Sequence, residues 1–198
     1  MVYPIRLYGD PVLRQRAQVI RDLDASVAVP RFPQEPLHSL ADHMLETMYE
    51  ARGVGLAAPQ IGLPIRLFVA AEYADDEEEA EESPRSGVLR EWVMINPKLE
   101  RVGRQRSKDV QEGCLSIPNI YEEGVPRHLQ LRVRYQDLSG REQVAEVEGH
   151  LARVFQHEAD HLDGVLFLDY LSTDVVAKYR QELAALKHEA LAALQTQA

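Results

Sequence analysis

Residues 129–164 constrain the fold most, because the spacing of their apolar side chains changes from a period of two to the period of a helix. Apolar and polar side chains alternate over residues 129–135, which is typical of a half-buried β-strand. The turn residues Asp137–Gly140 lead into a second alternating stretch that ends at Val147. Residues 148–164 then follow a helical pattern and end on a glycine. We therefore predict an antiparallel hairpin that runs directly into a helix.

The rest of the chain adds two helices and a buried strand, without a regular alternation of strand and helix. The periodicity predicts a helix that ends before Gly53, a strand over residues 65–69, and a final helix over residues 172–198. Residues 72–90 are expected to form a solvated, mobile acidic insertion. The pattern favours an α+β fold and a single domain over residues 1–198. The buried faces of the two helices are predicted to be Leu37, Leu40, Met44, Leu45, Met48 and Tyr49, and Tyr179, Leu183, Leu186 and Ala190.

The charge of the chain is concentrated in one place. The 198 residues carry a formal charge of −10, and seven of the acidic residues lie in Asp75–Glu82. The remainder is close to neutral, so we expect no direct nucleic-acid binding through bulk charge. The chain has one cysteine, Cys114, no secretory signal pattern and no apolar run long enough to span a membrane. These features predict a cytoplasmic protein that does not interact with membranes.

Two histidines and a glutamate stand together in the predicted helix, in the stretch FQHEADHL. His157 and His161 are one helical turn apart on the same face, a spacing that allows two imidazoles to bind one metal ion. Glu158 falls on the core side of the helix, where burial adjusts a carboxylate for proton transfer. Asp160 points elsewhere and is expected to be solvated.

A catalytic zinc or iron ion usually has three protein ligands, so a third ligand must lie elsewhere in the chain. Downstream, Glu182 and His188 are candidates, and Glu182 would suit a zinc endopeptidase. Upstream, Cys114 lies in EGCLSIP, where the flanking Gly, Ser and Pro place it at a strand end or a turn. A lone cysteine is otherwise a small buried hydrophobic residue.

A glycine-rich segment, GVGLAAPQIG over residues 53–62, is the third unusual patch. Its first six residues match the dinucleotide fingerprint, but a helix precedes the glycines and Pro59 interrupts the helix that should follow. The small residues instead suit a close approach of backbone to an extended ligand, with Gln60 as an amide donor. A tight turn with Gln60 in solvent is the alternative.

Taken together and in this order, GVGLAAPQIG, EGCLSIP and QHEADHLDG resemble the three signature motifs of the peptide deformylases. The resemblance extends from about Leu7 to Leu171. It implies antiparallel sheets packed around a central metal-binding helix, with helices at both ends of the chain. It also implies an enzyme that removes the formyl group from N-formylmethionyl nascent chains with Fe²⁺, for which Zn²⁺ or Ni²⁺ can substitute. The ribosome is then an expected partner.

The resemblance also implies roles for individual residues. The metal ligands would be Cys114, His157 and His161, with Glu158 as general acid and base. Gln60 and the backbone N–H of Leu115 would donate to the oxyanion. The remaining roles are substrate binding by Val54, Gly55 and Val154, and an ion pair of Glu112 with Arg127 that supports the site.

The chain departs from the family pattern at three positions near the expected substrate. Tyr121 stands where many members have an arginine that contacts the substrate backbone, while His150 and Arg153 replace residues that are often apolar near the methionine pocket. Three rival interpretations remain open. They are a zinc endopeptidase that uses His157, His161 and Glu182, a non-catalytic metal module with a closed four-ligand site, and an inactive ribosome-associated protein.

Overall fold

Helices and antiparallel sheets alternate irregularly along the chain, which confirms the α+β prediction. The computed structural model describes residues 1–73 and 85–195. The described helices are α1 (Leu37–Glu50), α2 (Gly149–Leu162), α3 (Thr173–Lys178) and α4 (Arg180–Gln195). The described strands are β1 (Gly55–Ala57), β2 (Leu67–Tyr73), β3 (Val88–Arg101), β4 (Arg106–Ser107), β5 (Glu112–Cys114), β6 (Ile117–Glu122), β7 (Arg127–His128), β8 (Gln130–Gln136) and β9 (Glu142–Glu148).

Five of these strands form one antiparallel sheet in the order β1-β2-β3-β8-β9. The predicted hairpin is its β8–β9 pair, whose register runs from Gln130 opposite Glu148 to Gln136 opposite Glu142. Two further antiparallel pairs, β4–β7 and β5–β6, lie outside this sheet. Strand β1 is an edge strand, so one side of it is not paired within the sheet.

Helix α2 packs across the sheet and anchors its core. Phe155 contacts Phe68 of β2 and Trp92 of β3 edge to face, with ring centroids 5.3 and 5.6 Å apart. The helix can begin directly after β9 because Gly149 adopts a left-handed φ of +61°. Gly164 ends it with a φ of +74°, where an added side chain would lie 2.6 Å from the carbonyl oxygen of Arg14. The predicted end of the helix is thereby confirmed.

Helix α1 presents the predicted apolar face to the other side of the sheet. All six of its predicted core residues are buried, and they pack with Leu56 and Leu67 in one cluster. The helix ends at Glu50, as predicted, before the glycine-rich segment. That segment is thus held between a helix and the edge of the sheet.

The predicted strand at 65–69 and the acidic insertion at 72–90 have different bounds in the structure. Strand β2 continues through Tyr73, because Glu72 and Tyr73 pair with Arg90 and Val88 of β3. Strand β3 itself was not predicted, since its apolar residues stand next to one another and do not alternate with polar ones. Its first three residues fall inside the expected insertion, which is therefore shorter than predicted. The acidic run over residues 75–82 and its expected mobility lie outside the described residues.

The C-terminal segment starts where predicted but consists of two helices. Ser172 caps α3 by accepting a hydrogen bond from the N–H of Val175. The helix is interrupted at Tyr179, whose N–H bonds to the carbonyl oxygen of Val176 and whose hydroxyl donates to Glu122 at 2.8 Å. On α4 Leu183 and Ala190 are buried, as predicted. No helix in the described ranges is long and apolar enough to cross a membrane. The single domain over residues 1–198 stays a prediction.

Candidate metal centre

Three potential ligands from two elements converge beside the sheet. Cys114 ends β5, and His157 and His161 lie one turn apart on α2. The Nε2 atom of His161 is 3.2 Å from the Sγ atom of Cys114 and 3.2 Å from the Nε2 atom of His157. Within residues 1–73 and 85–195, this is the one group of three or more Cys, His, Asp or Glu side chains placed to hold a metal ion, with its ligand atoms within 4.8 Å of one another.

Neither downstream candidate for the third metal ligand belongs to this group. Glu182 and His188 are exposed on α4 and are not members of the group. An endopeptidase site built from His157, His161 and Glu182 is therefore not formed. The cysteine is brought to the histidines by the β5–β6 turn, a contact over more than 40 residues that helical spacing does not reveal.

The donor atoms of this group fit a cation. His157 donates from Nδ1 to Glu112 at 2.7 Å, which leaves the lone pair of its Nε2 facing the Nε2 of His161. The Nε2 atom of His161 lies across the same space, so a cation between the two rings could be bound by both nitrogens. Imidazole ligands of a tetrahedral zinc ion lie about 3.3 Å apart, given bond lengths of about 2.0–2.1 Å. The observed separation of 3.2 Å matches that spacing.

Glu112 forms the hub of a buried charge cluster behind the histidines. Its carboxylate accepts hydrogen bonds from Nε and Nη2 of Arg127, so the ion pair expected from the resemblance is formed. Burial alone would raise the pKa of Glu112, but the hydrogen bonds from His157 and Arg127 outweigh it and hold the pKa at about 2. The carboxylate is therefore ionised and fixes the tautomer and ring orientation of His157.

Two other charged residues of α2 take part in this cluster, and the sequence analysis did not place them there. Asp160, expected in solvent, accepts a 2.5 Å hydrogen bond from Nη1 of Arg127 and a 3.1 Å hydrogen bond from the hydroxyl of Tyr170. That expectation was wrong, because helical geometry does not show that Arg127 of β7 faces this side of α2. Arg153 lines the cavity, and its guanidinium donates a hydrogen bond to Glu112.

Glu158 is buried beside the three ligands, as its position on the core side of α2 predicts. The residue is 4% exposed, and burial raises the pKa of its carboxyl group to about 7. Its Oε2 atom has no hydrogen-bond partner in the described part of the chain. The carboxylate lies against Gly55, where an added Cβ would be 2.8 Å from its Cδ atom. Only a glycine leaves room for it there.

Gln60 directs its amide into the same space. Its Oε1 atom accepts a hydrogen bond from the N–H of Ala57 at 2.8 Å, which fixes the orientation of the amide because a backbone N–H can only donate. The Nε2 atom therefore faces Ser116 Oγ at 3.2 Å and Cys114 Sγ at 3.6 Å. The side chain is 1% exposed, so the alternative with Gln60 in solvent is wrong.

The site opens into a cavity of about 420 Å³. Tyr121 lies at its edge, 60% exposed, with its ring against Gly113, where an added Cβ would be 2.5 Å from two ring carbons. Val54 is half-exposed, whereas Val154 is buried. The predicted site residues that line the cavity are Val54, Gly55, Gln60, Glu112, Cys114, Leu115, Val154, His157 and Glu158, together with Tyr121, His150 and Arg153.

The comparison with protein families decides the identity of this arrangement. The family model described as polypeptide deformylase matches residues 2–176, which is most of the chain. The chain belongs to the peptide deformylase family. All three sequence motifs lie inside the matched range, so the resemblance noted from the motifs is confirmed.

Individual relatives agree with this family assignment. The peptide deformylase of Thermus thermophilus is 50% identical over 199 residues, covering 98% of this chain and 97% of the relative. That of Rhizobium meliloti is 46% identical over 171 residues, covering 86% of each chain. A crystal structure of the peptide deformylase from Thermus thermophilus superimposes with a TM-score of 0.80 at 47% identity, covering 96% of this chain and 99% of that one. The chain therefore matches these enzymes over most of its length and shares their fold.

Proposed function

We propose that this deformylase-family protein hydrolyses the formyl group from N-formylmethionyl peptides and releases formate. The observation that carries the proposal is the convergence of Cys114, His157 and His161 beside a buried Glu158 in an open cavity. A closed structural site would have four protein ligands, whereas this group has three, and two of them, Cys114 and His157, line an open cavity. A cation held by the three ligands would therefore keep an open position for water and substrate.

The chemistry needs a cation and a proton carrier. A divalent cation held by Cys114, His157 and His161 would supply Lewis-acid chemistry and acidify water. Glu158, whose pKa of about 7 suits proton exchange at neutral pH, takes a proton from the attacking water. The water oxygen bonds to the formyl carbon, the C–N bond breaks, and Glu158 delivers the proton to the leaving amine of methionine.

Stabilisation of the oxyanion is assigned to Gln60 and Leu115. The Nε2 group of Gln60 already points to the cysteine ligand, so it can donate to an oxygen bound near that position. Leu115 is the first residue of the turn between β5 and β6 and lines the cavity, which makes its backbone N–H the second donor. The amide of Gln60 is held by the N–H of Ala57 before substrate arrives.

Substrate binding is assigned to the edge of the main sheet and the cavity wall. Strand β1 pairs with β2 on one side only, so Gly55 at its start can hydrogen-bond to an extended peptide on the other. Val54 precedes β1 and lines the cavity, but its carbonyl oxygen already accepts from the N–H of Ala71, so its other groups would contact the peptide. The buried Val154 offers an apolar wall for the methionine side chain. Glu112 and Arg127 do not contact the peptide in this scheme and support His157 instead.

The identity of the metal and the cellular setting form the finer part of the proposal. A site with one thiolate and two imidazoles suits Fe²⁺, Zn²⁺ or Ni²⁺. We assign Fe²⁺ as the native ion on the resemblance of the three motifs to the deformylases. N-formylmethionyl nascent chains as substrate imply a cytoplasmic enzyme that works near the ribosome.

The test is formate release from formyl-Met-Ala-Ser by protein purified without oxygen. We expect wild-type protein to produce one formate and one free Met-Ala-Ser per turnover, and Cys114→Ser to lose both bound metal and activity. Mass spectrometry of the products separates the alternatives. Cleavage of a peptide bond, or full activity and metal content in Cys114→Ser, would contradict the proposal.

A further inference from the structure

We propose that Arg153 is a positioning residue for the metal centre, and that it acts on His157 through Glu112. The inference rests on the metal site of the proposed function and adds a residue that the motifs do not assign to that site. Arg153 and His157 are four residues apart on α2, so they lie on the same face one turn apart. Both reach the same carboxylate.

Hydrogen bonds to Glu112 link β5 and α2, the two elements that carry the ligands. Arg153 donates from Nη1 to Oε2 of Glu112 at 3.1 Å, and His157 donates from Nδ1 to Oε1 at 2.7 Å. Glu112 lies on β5 two residues before Cys114. The position of this carboxylate therefore sets both the ring orientation of His157 and the distance from α2 to the cysteine.

Charge balance in the cluster requires the second arginine. Arg127 is shared, because it donates to Glu112 and also to Asp160 at 2.5 Å. The two carboxylates face two guanidinium groups when Arg153 is present, and the side chains of Glu112, Arg127 and Arg153 are all less than 10% exposed. Removal of Arg153 would leave Arg127 as the one guanidinium for both carboxylates, so Glu112 would lose one of the groups that fix its position.

The planar geometry of the Arg153 guanidinium contributes to these contacts as well as its charge. Besides Glu112, Arg153 donates from Nη1 to the carbonyl oxygen of Val125 at 3.3 Å and from Nη2 to that of Ser107 at 3.0 Å. A planar fork can satisfy three acceptors in fixed directions, whereas a lysine ammonium is a single point charge on a flexible stem. We therefore expect lysine to replace arginine poorly here.

The expected effect is on metal binding, because loss of a group that orients a histidine ligand typically weakens metal affinity by about 10–100-fold. Zn²⁺ affinity is measured by competition with a chromophoric chelator, and the visible spectrum of the Co²⁺-loaded protein reports ligand geometry. Arg153→Met should weaken Zn²⁺ binding by about 10–100-fold and alter the Co²⁺ spectrum, with Arg153→Lys closer to Met than to wild type. Arg132→Met is the matched control, since Arg132 pairs with Glu146 on the surface.

A double-mutant cycle with Glu112→Gln separates positioning from general stabilisation. If Arg153 acts through Glu112, Arg153→Lys should weaken Zn²⁺ binding less than threefold in the Glu112→Gln background. An equal loss in both backgrounds, or affinity within threefold of wild type in both Arg153 variants, would overturn the inference and leave the proposed function intact. A wild-type protein that binds neither Zn²⁺ nor Co²⁺ would overturn both.

Discussion

Replacing Gly55 by alanine tests whether the position of the Glu158 carboxylate controls catalysis. An added Cβ would lie 2.8 Å from Cδ and 2.9 Å from Cγ of Glu158, whereas carbon atoms in contact prefer about 3.5–4.0 Å. The Cδ atom must therefore retreat by roughly 0.7–1.2 Å. It cannot do so freely, because the residue is 4% exposed and packed inside the protein.

A displacement of about 1 Å in a catalytic group can cost about 100-fold in rate, which corresponds to about 2.7 kcal/mol. We expect Gly55→Ala to lower kcat for formate release about 100-fold. The N–H and C=O groups of residue 55 remain, so KM should change much less. Bound metal should be unaffected, since Glu158 is not one of the three ligands.

The assay is steady-state formate release at 25 °C, with metal content and the folded fraction measured on the same sample. Gly103→Ala is the matched control, because Gly103 has a φ of +76° and an added Cβ there would meet no atom within 4 Å. Alanine at this positive φ strains the backbone of the control variant, but the variant should keep wild-type kcat. A kcat for Gly55→Ala within threefold of wild type would refute the reasoning.

Three other changes have defined outcomes. Gln60→Glu keeps an acceptor for the N–H of Ala57 but removes the amide donor, so kcat should fall by about 10²–10³ with metal content unchanged; a fall of less than threefold would exclude Gln60 as an oxyanion donor. Arg127→Met removes the cation that pairs with Glu112 and Asp160 in the interior. It should lower the free energy of unfolding, measured with urea, by about 3–5 kcal/mol. A loss below about 1 kcal/mol would be inconsistent with a buried ion pair. Removal of metal with a chelator should abolish formate release while the far-ultraviolet circular dichroism is retained, because the apolar clusters do not depend on the ion; activity that persists after complete metal removal would contradict the proposal.

The sequence predicted the elements that follow a single regular period. The α1 helix, the β8–β9 hairpin and the α2 helix were recognisable because each buries one face, so the spacing of apolar residues repeats the geometry of the element. Strand β3 was missed because the apolar residues of its first part stand in runs, Val88–Leu89 and Trp92–Ile95, without a strict alternation, and the strand is held by pairing with β2. Pairing of this kind depends on residues distant in the chain.

The site residues were predicted to different degrees, because a sequence pattern shows contacts within one element and not contacts between distant elements. The spacing of His157 and His161 is local and was readable. Cys114 was one of several candidates for the third ligand until the motif resemblance selected it, because a turn between distant strands brings it to the histidines. The roles of Arg153 and Asp160 in the charge cluster were not predicted, since their partners Glu112 and Arg127 lie on β5 and β7. The sequence does not show whether a charged residue on a helix faces solvent or a buried partner.

The most direct test of the account is the turnover of Glu158→Gln. Glutamine preserves the volume of the buried side chain but cannot take up or release the proton, and general acid–base catalysis contributes about 10²–10⁴-fold. We expect the variant to bind one equivalent of metal through Cys114, His157 and His161 and to release formate from formyl-Met-Ala-Ser at least 100-fold more slowly than wild type. Turnover at the wild-type rate with metal bound would contradict the central claim that Glu158 carries the proton in this site.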